Sequence, residues 1–240
     1  EEVIMRRRAH IEPKVSVVMS VYNAEGYVEE AIDSILKQTF RDFEFVVVND
    51  GSTDQSSRIL HGLQDNRILL VENEENIGLT RSLNKGLQLA KGEYIVRLDA
   101  DDVALPKRLE KQVKFLDAHP NVGLVGCAVE FIDPYGNTLG VQRVHQESID
   151  DLLTHHNWFN HSATAFRHEC LDKVGLYREA FRYAQDYDLW LRIVEEYDVA
   201  CMSEPLVRVR FNPDSISATR KAHQRAYGDL AVKLAQQRRD

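Results

Sequence analysis

The 240-residue sequence lacks the features that identify several common protein classes. It contains no run of 18 apolar residues, so it predicts no transmembrane helix. Residues 1–10 carry basic side chains without an apolar stretch behind them, which is not the pattern of a secretory signal. The three cysteines, Cys127, Cys170 and Cys201, have no CxxC spacing. We therefore expect reduced thiols in a reducing compartment, rather than disulfides or a zinc site.

Common nucleotide-binding and hydrolase motifs are also missing. There is no GxGxxG after the first predicted strand and no GxxxxGK[ST], which excludes the usual dinucleotide and P-loop sites. Neither GxSxG nor HExxH occurs. The net charge of −8 argues against nucleic acid as the main partner, because binding its phosphates needs a concentrated basic surface. A phosphorylated ligand stays compatible, since a divalent cation can reverse the local field.

The first half of the chain does contain a regular alternation of strand and helix patterns. Buried strands are predicted at residues 15–21, 43–49, 68–72 and 94–98, with helices between them at about 27–38, 54–63 and 79–90. This alternation predicts a parallel sheet with helices on both faces. In such sheets, ligands bind beyond the carboxyl ends of the strands.

The second half is less regular and predicts a smaller mixed α/β region packed against the first. Helices are expected at about 107–119, 148–155, 187–196 and 218–238, and extended segments at 122–132, 138–144 and 200–211. The basic C-terminal helix can either pack on the protein or lie on an anionic membrane surface. It lacks large aromatic side chains on an apolar face, which favours a packed or solvated helix.

Three carboxylates, those of Asp99, Asp101 and Asp102, directly follow the fourth predicted strand. Like charges this close are unfavourable unless a cation neutralises them, and oxygen ligands suit Mg²⁺ or Mn²⁺. The alternative is an acidic loop that caps the next helix. The position at the carboxyl end of a strand favours a metal site.

Two further aspartates stand where a ligand or a reaction is expected. Asp50 follows the second predicted strand, where its carboxylate can accept hydrogen bonds from a base or a ribose; the turn-rich segment 49–54 also reads simply as a turn with a capped helix. Asp186 stands at the start of a predicted helix, either as a helix cap or as a general base.

Five motifs in this order closely resemble glycosyltransferase family 2, whose members are inverting enzymes with the GT-A fold. The segments that carry the resemblance are 15–23, 49–54, 76–86, 99–101 and 186–192, and it extends over about residues 15–217. It implies one α/β GT-A domain over residues 1–240, in which a Rossmann-like nucleotide-binding sheet is merged with the mixed region. The implied parts are a nucleotide-sugar-binding half at about 13–102, an acceptor-binding half at about 103–217 and a C-terminal helix at 218–240.

The resemblance also implies a role for each candidate residue. The donor-binding residues would be Val21, Tyr22, Asp50, Arg81, Asp99 and Asp101. The ligands of Mn²⁺ or Mg²⁺ would be Asp101, with Asp99 and Asp102 in support. The general base would be Asp186, and the acceptor side would include His161 and Trp190.

Three positions depart from the family pattern. Gln185 stands where members often have Glu, Leu83 stands where many have Arg, and Asn212 replaces a late His that can serve the metal or the diphosphate. The last of these puts a third metal contact in doubt. Arg81, two residues before Leu83, is the remaining candidate for a phosphate contact.

The expected reaction is transfer of a sugar from a UDP-sugar to a hydroxyl of a glycan or lipid-linked acceptor. By resemblance, the setting is bacterial surface polysaccharide synthesis in the cytoplasm, with peripheral contact at the inner face of the membrane as an option. One alternative is a non-catalytic protein that binds nucleotide-sugars or glycans. Another is a sugar-1-phosphate nucleotidyltransferase, which would need a Gly-rich basic loop that residues 20–25 do not provide.

Overall fold

The computed structural model describes residues 12–142, 144, 157–212 and 219–239. The strands are β1 (Val15–Val21), β2 (Phe43–Asn49), β3 (Ile68–Glu72), β4 (Tyr94–Arg97), β5 (Val103–Ala104), β6 (Val122–Ile132), β7 (Thr138–Val141), β8 (Ala165–Arg167) and β9 (Asp198–Arg210). The helices are α1 (Val28–Leu36), α2 (Ser56–His61), α3 (Leu79–Leu89), α4 (Arg108–Ala118), α5 (Glu169–Val174), α6 (Gln185–Ile193) and α7 (Lys221–Arg239). The helix expected at 148–155 lies outside the described residues.

The strands of the described chain form one sheet in the order β3-β2-β1-β4-β8-β6-β9-β5, with β7 paired to β6. The first four pair in parallel, as predicted from the alternation of strands and helices. Strand β1 buries apolar side chains on both faces: Val17 and Met19 belong to one core, and Val18 to another. Parallel strands need this cover because neither face is polar.

The second half completes the sheet through β8, which pairs antiparallel to both β4 and β6. The long strands β6 and β9 run parallel to each other, and the two-residue strand β5 pairs antiparallel to β9. Neither β5 nor α5 was predicted, because elements this short carry too little periodicity. Helix α6 begins at Gln185, two residues before the predicted start.

The C-terminal helix α7 packs on the protein, which is one of the two arrangements that the sequence favoured. Ala231 and Ala235 are buried, and Tyr227 meets Phe181 edge-on with ring centroids 5.8 Å apart. Within the described chain, none of the helices combines the length and the apolarity needed to cross a membrane.

Ala184, just before α6, has a backbone φ of 55°, in the left-handed region that favours glycine. We expect Ala184→Gly to raise the free energy of unfolding by about 0.5 kcal/mol. Relief of the left-handed backbone strain in the folded protein should outweigh the greater conformational entropy that glycine gives the unfolded chain. The β-branched Ala184→Val should lower it by about 2 kcal/mol. Urea unfolding of both variants checks the prediction. Equal stability of the two variants would contradict it.

Candidate active site

The loops after β1 and β2 are tied together at the edge where a ligand is expected. The carbonyl of Val21, the last residue of β1, accepts a hydrogen bond from the Asp50 amide at 2.8 Å. Asn23 has a positive φ of 50°, and its side-chain oxygen accepts a bond from the Thr53 amide at 2.8 Å. The Tyr22 side chain between them is 48% exposed. A half-exposed ring on a fixed loop is suited to stacking against a base.

Asp50 is far more buried than its predicted contact with a nucleotide suggests. Only 1% of its surface is exposed. Its carboxylate accepts bonds from the Asn73 side chain at 3.0 Å and from the amides of Ile77 and Gly78 at 2.9 and 3.0 Å. Asp50 therefore holds the loop before α3, a role that its position after β2 did not reveal.

Gly51 explains why this loop can approach so closely. Its φ is +66°, and a Cβ at this position would lie 2.5 Å from the carbonyl carbon of Glu75. Any side chain here would push the loop before α3 away from the end of β2. The glycine after Asp50 is therefore a requirement of the site's backbone.

Arg81, the candidate phosphate ligand, points to another partner. Its Nε donates to Oε2 of Glu179 at 2.9 Å, and its side chain is 60% exposed. An exposed ion pair of this kind contributes little to stability. Arg81 can therefore exchange Glu179 for an anionic ligand at small cost, but the structure does not itself direct it to a phosphate.

The acidic loop after β4 places two of its three carboxylates in very different electrostatic environments. Burial raises the pKa of Asp99, but the charge of Arg97, the influence of His161 and the hydrogen bonds from Ser162 and Arg97 together outweigh that effect and leave the pKa below its ordinary value. Burial, followed by the negative charge of Asp99, raises the pKa of Asp101 to about 6. A partly buried carboxylate beside a second negative charge is a place where a cation binds favourably.

Asp102 differs from its expected role as a metal ligand. It is only 4% exposed, and its Oδ1 accepts a bond from the amide of Arg210 at 2.8 Å. Burial, then the charges of Asp101 and Asp99, raise its pKa well above the ordinary value. In this structure Asp102 connects the acidic loop to β9, which leaves Asp101 as the better candidate ligand.

Arg210, at the end of β9, and Asn212, just after it, support the acidic loop. The buried Arg210 guanidinium donates to the carbonyl of Asp101 at 2.9 Å and to Glu30 of α1 at 2.6 Å. The side chain of Asn212 forms a hydrogen bond with the Asp101 carboxylate and opposes the rise in its pKa. Asn212, which replaces the family's late His, therefore still reaches the candidate metal ligand.

The oxygen donors of this loop fit a Mg²⁺ or Mn²⁺ ion that shares its coordination with a substrate. Among the described residues, no three His, Cys, Asp or Glu side chains converge as a complete cation site. Mg²⁺ in particular is usually bound by one or two carboxylates together with substrate phosphates. Asp101 alone, with Asp99 near it, satisfies that requirement.

On the acceptor side, His161 lies in a short 3-10 turn, His161–Ala163, that precedes β8. Its Nε2 lies 2.8 Å from the Tyr177 hydroxyl and 3.1 Å from Nε of Arg97. Burial and the charge of Arg97 lower the pKa of His161 to about 4, against the opposing charges of Asp99 and Asp186. The imidazole is therefore neutral at physiological pH, and it lies within electrostatic reach of both predicted catalytic regions.

Trp190, which was expected on the acceptor side, is not accessible to a ligand in this structure. It is fully buried, and its ring packs edge-on against His161 and Phe166 at centroid distances of 6.1 and 5.7 Å. In this conformation a sugar cannot touch it. Trp190 is buried because it belongs to the apolar face of α6. There it packs against the His161 ring and supports it.

Asp186 lies in the first turn of α6, where it is partly exposed. Its Oδ2 accepts a bond from Nδ2 of Asn157 at 2.9 Å. The amide of Phe159 donates to Oδ1 of Asn157 at 3.2 Å, which fixes the orientation of that side-chain amide. The Asp186 carboxylate is thus held by one amide donor, and its remaining lone pairs can accept a hydrogen bond from a hydroxyl group.

Sequence reasoning missed four residues that organise this site: Arg97, Asn157, Ser162 and Tyr177. Ser162 Oγ accepts the amide of Asp99 at 2.8 Å and so joins the acidic loop to the 3-10 turn. One signal was available, because Arg97 is a charged residue inside a buried strand, where charges are rare unless paired. The other three have no local pattern.

Comparison with known proteins identifies the class. The profile of Glycosyl transferase family 2 matches residues 16–178, and the chain belongs to this family. An uncharacterised glycosyltransferase of Methanocaldococcus jannaschii is 34% identical over 229 residues, covering 92% of this chain and 79% of the relative. The amylovoran biosynthesis glycosyltransferase AmsE of Erwinia amylovora is 33% identical, covering 85% and 79%. The putative glycosyltransferase EpsE of Bacillus subtilis is 35% identical, covering 85% and 75%.

Solved structures share the fold. TarS of S. aureus in complex with UDP-GlcNAc superposes with a TM-score of 0.72 at 22% identity, over 86% of this chain and 61% of that one. The mannosyltransferase of Pyrobaculum calidifontis in complex with GDP-Man and Mn²⁺ gives a TM-score of 0.67 at 26% identity, over 96% and 66%. The chain thus spans about three fifths of the TarS chain. The predicted GT-A fold and membership of family 2 are confirmed.

Proposed function

We propose that this chain transfers a sugar from a nucleotide-sugar, with UDP as the expected nucleotide, to a hydroxyl of a glycan or lipid-linked acceptor, with inversion at the anomeric carbon. The observation that carries the proposal is one connected network that begins at the end of β4. Asp99 is bonded to Arg97, Arg97 to His161, and the charge of Asp186 acts on His161. This connection supports the proposal that the candidate donor-side and acceptor-side residues act in a single site.

The donor half of this proposal covers about residues 13–102. Tyr22 would stack on the base, and Asp50 would act mainly by holding the loop before α3 in place. The S. aureus neighbour binds UDP-GlcNAc and the P. calidifontis neighbour binds GDP-Man. Uridine and guanosine donors therefore both belong in the test, with uridine expected.

The acceptor half covers about residues 103–217, with Asp186 as general base. Asp186 would take the proton of the acceptor hydroxyl while the hydroxyl oxygen bonds to the anomeric carbon and the bond to the diphosphate oxygen breaks on the opposite face. A positioned base of this kind contributes about 10²–10⁴-fold to the rate. The name of the E. amylovora relative, a biosynthetic glycosyltransferase, supports a role in glycan synthesis.

Asp101 would hold Mn²⁺ or Mg²⁺, with Asp99 close by. When bound, such a cation supplies positive charge to the departing diphosphate. Arg210 and Asn212 hold the Asp101 backbone and side chain, so that the loop keeps its shape as charge develops. Fixed groups of this kind are effective because they need no reorganisation during the reaction.

The test is release of nucleoside diphosphate from UDP-glucose, UDP-N-acetylglucosamine, GDP-mannose and dTDP-glucose, with Mn²⁺ or with EDTA. Water serves as a slow acceptor. We expect one donor to react, only with the metal, and uridine donors to react best. Binding of a donor without release would favour the non-catalytic alternative, and pyrophosphate-dependent release of a nucleoside triphosphate would favour the nucleotidyltransferase.

A further inference from the structure

The guanidinium of Arg97 lies between the donor side and the acceptor side of the site. Arg97 ends β4, and its side chain is completely buried. Nη2 donates to Oδ1 of Asp99 at 2.7 Å, and Nε donates to Nε2 of His161 at 3.1 Å. Nη1 donates to the carbonyls of Val18 and Leu98. Each nitrogen of this planar group therefore has an acceptor, and the group has little freedom to rotate.

The contact with His161 also determines which ring nitrogen carries the proton. An arginine can only donate, so Nε2 of His161 accepts and the proton of the neutral ring lies on Nδ1. The Tyr177 hydroxyl lies 2.8 Å from the same Nε2. Trp190 packs edge-on against the ring. One orientation and one tautomer of His161 are thereby selected, with an N–H left on the opposite side of the ring.

We propose that Arg97 is a positioning residue that sets Asp99 and His161 relative to each other and so couples the two halves of the site. The inference rests on the proposed sugar transfer. The two side chains are 62 positions apart in the sequence, and one rigid fork of donors joins them. Lysine would place a single point charge on a flexible stem and cannot hold both partners in one plane.

The first variant is Arg97→Lys. We expect its kcat for nucleoside diphosphate release to fall about 100-fold, because misplacing reacting groups by about 1 Å costs that much. Release is measured with whichever sugar nucleotide of the four-donor panel the unmodified protein uses. Donor KM should change less than kcat, since the hydrogen bonds that hold the loops after β1 and β2 are not made by Arg97.

Arg108 provides a matched control. It is also fully buried, and its Nη2 donates to the backbone carbonyls of Arg97 and Thr164 at 2.7 and 3.1 Å. Its Nε donates to Gln112. Arg108→Lys removes a buried guanidinium at the same depth without breaking the Asp99–His161 connection. We expect it to lower the melting temperature but to leave kcat nearly unchanged.

A second measurement leaves Arg97 in place, so it decides the question even if Arg97→Lys does not fold. In a double-mutant cycle, Asp99→Ala and His161→Phe should be coupled: the double variant should lose less kcat than the product of the single losses, by about tenfold. Phenylalanine keeps an aromatic ring against Trp190 and removes both ring nitrogens, including the acceptor Nε2. The comparison pair is Asp101→Ala with His161→Phe. For this pair the loss of kcat in the double variant should be close to the product of the two single losses.

The outcomes separate this inference from the proposed function. Equal coupling in both pairs, or a folded Arg97→Lys protein as active as Arg108→Lys, would overturn the role of Arg97. An unmodified protein that releases no nucleoside diphosphate from any of the four donors would refute the proposed transfer itself. Selective coupling of Asp99 with His161 supports both.

Discussion

Replacing Asp186 with alanine should lower kcat for sugar transfer by about 10²–10⁴-fold, because the acceptor hydroxyl would lose its base. Donor binding should change little, since Asp186 lies in the first turn of α6, outside the loops after β1 and β2. Asp186→Asn should be equally slow, although its amide oxygen still accepts the bond from Asn157. The measurements are the rate of nucleoside diphosphate release and donor titration by calorimetry.

The control for this prediction is Asp172→Ala. Asp172 is also an aspartate in the first turn of a helix, α5, but it is exposed and away from the network around Arg97. Its replacement should leave the rate unchanged. If Asp186→Asn kept more than about a tenth of the wild-type rate, the loss would be below the range for a general base. His161 would be a poor substitute, since two donors face its Nε2 and its pKa is about 4.

The second large effect is expected at the candidate metal ligand. Asp101→Asn should lower kcat/KM by about 10²–10³-fold, the cost of losing one electrostatic contact to a charged leaving group. The amide keeps the shape of the side chain and its bond with Asn212 but removes the negative charge. Mn²⁺ affinity in the presence of UDP, followed by electron paramagnetic resonance, should fall in parallel with the rate.

Asp33→Asn is the matched surface control. Asp33 lies in α1, and its partner in the structure is Lys37 on the next turn. Its loss should affect neither Mn²⁺ affinity nor turnover, because an exposed helix pair contributes only a few tenths of a kcal/mol. An unchanged Mn²⁺ affinity in Asp101→Asn would show that another residue holds the cation, and Asp99 would then be the first to examine.

Asp99 itself shows why the acidic motif could be recognised from the sequence but not interpreted residue by residue. The spacing after a buried strand was enough to predict a cluster of carboxylates at a ligand-binding edge. It did not distinguish Asp99, bonded to Arg97, from Asp102, buried against β9. Those environments depend on β9 and on the 3-10 turn at His161, which are more than 60 positions away.

The sequence by itself determined that the first four strands form a parallel sheet and where they end to within one residue, because hydrophobic periodicity and turn chemistry are local properties of the chain. Its motifs indicated the family, and the strand order β3-β2-β1-β4 came from the structure. Only the tertiary structure decided that Trp190 is buried, that Arg81 pairs with Glu179 and that Asp50 holds the loop before α3. Each of these contacts joins distant segments, and its geometry follows from how helices and strands pack, which no local pattern encodes.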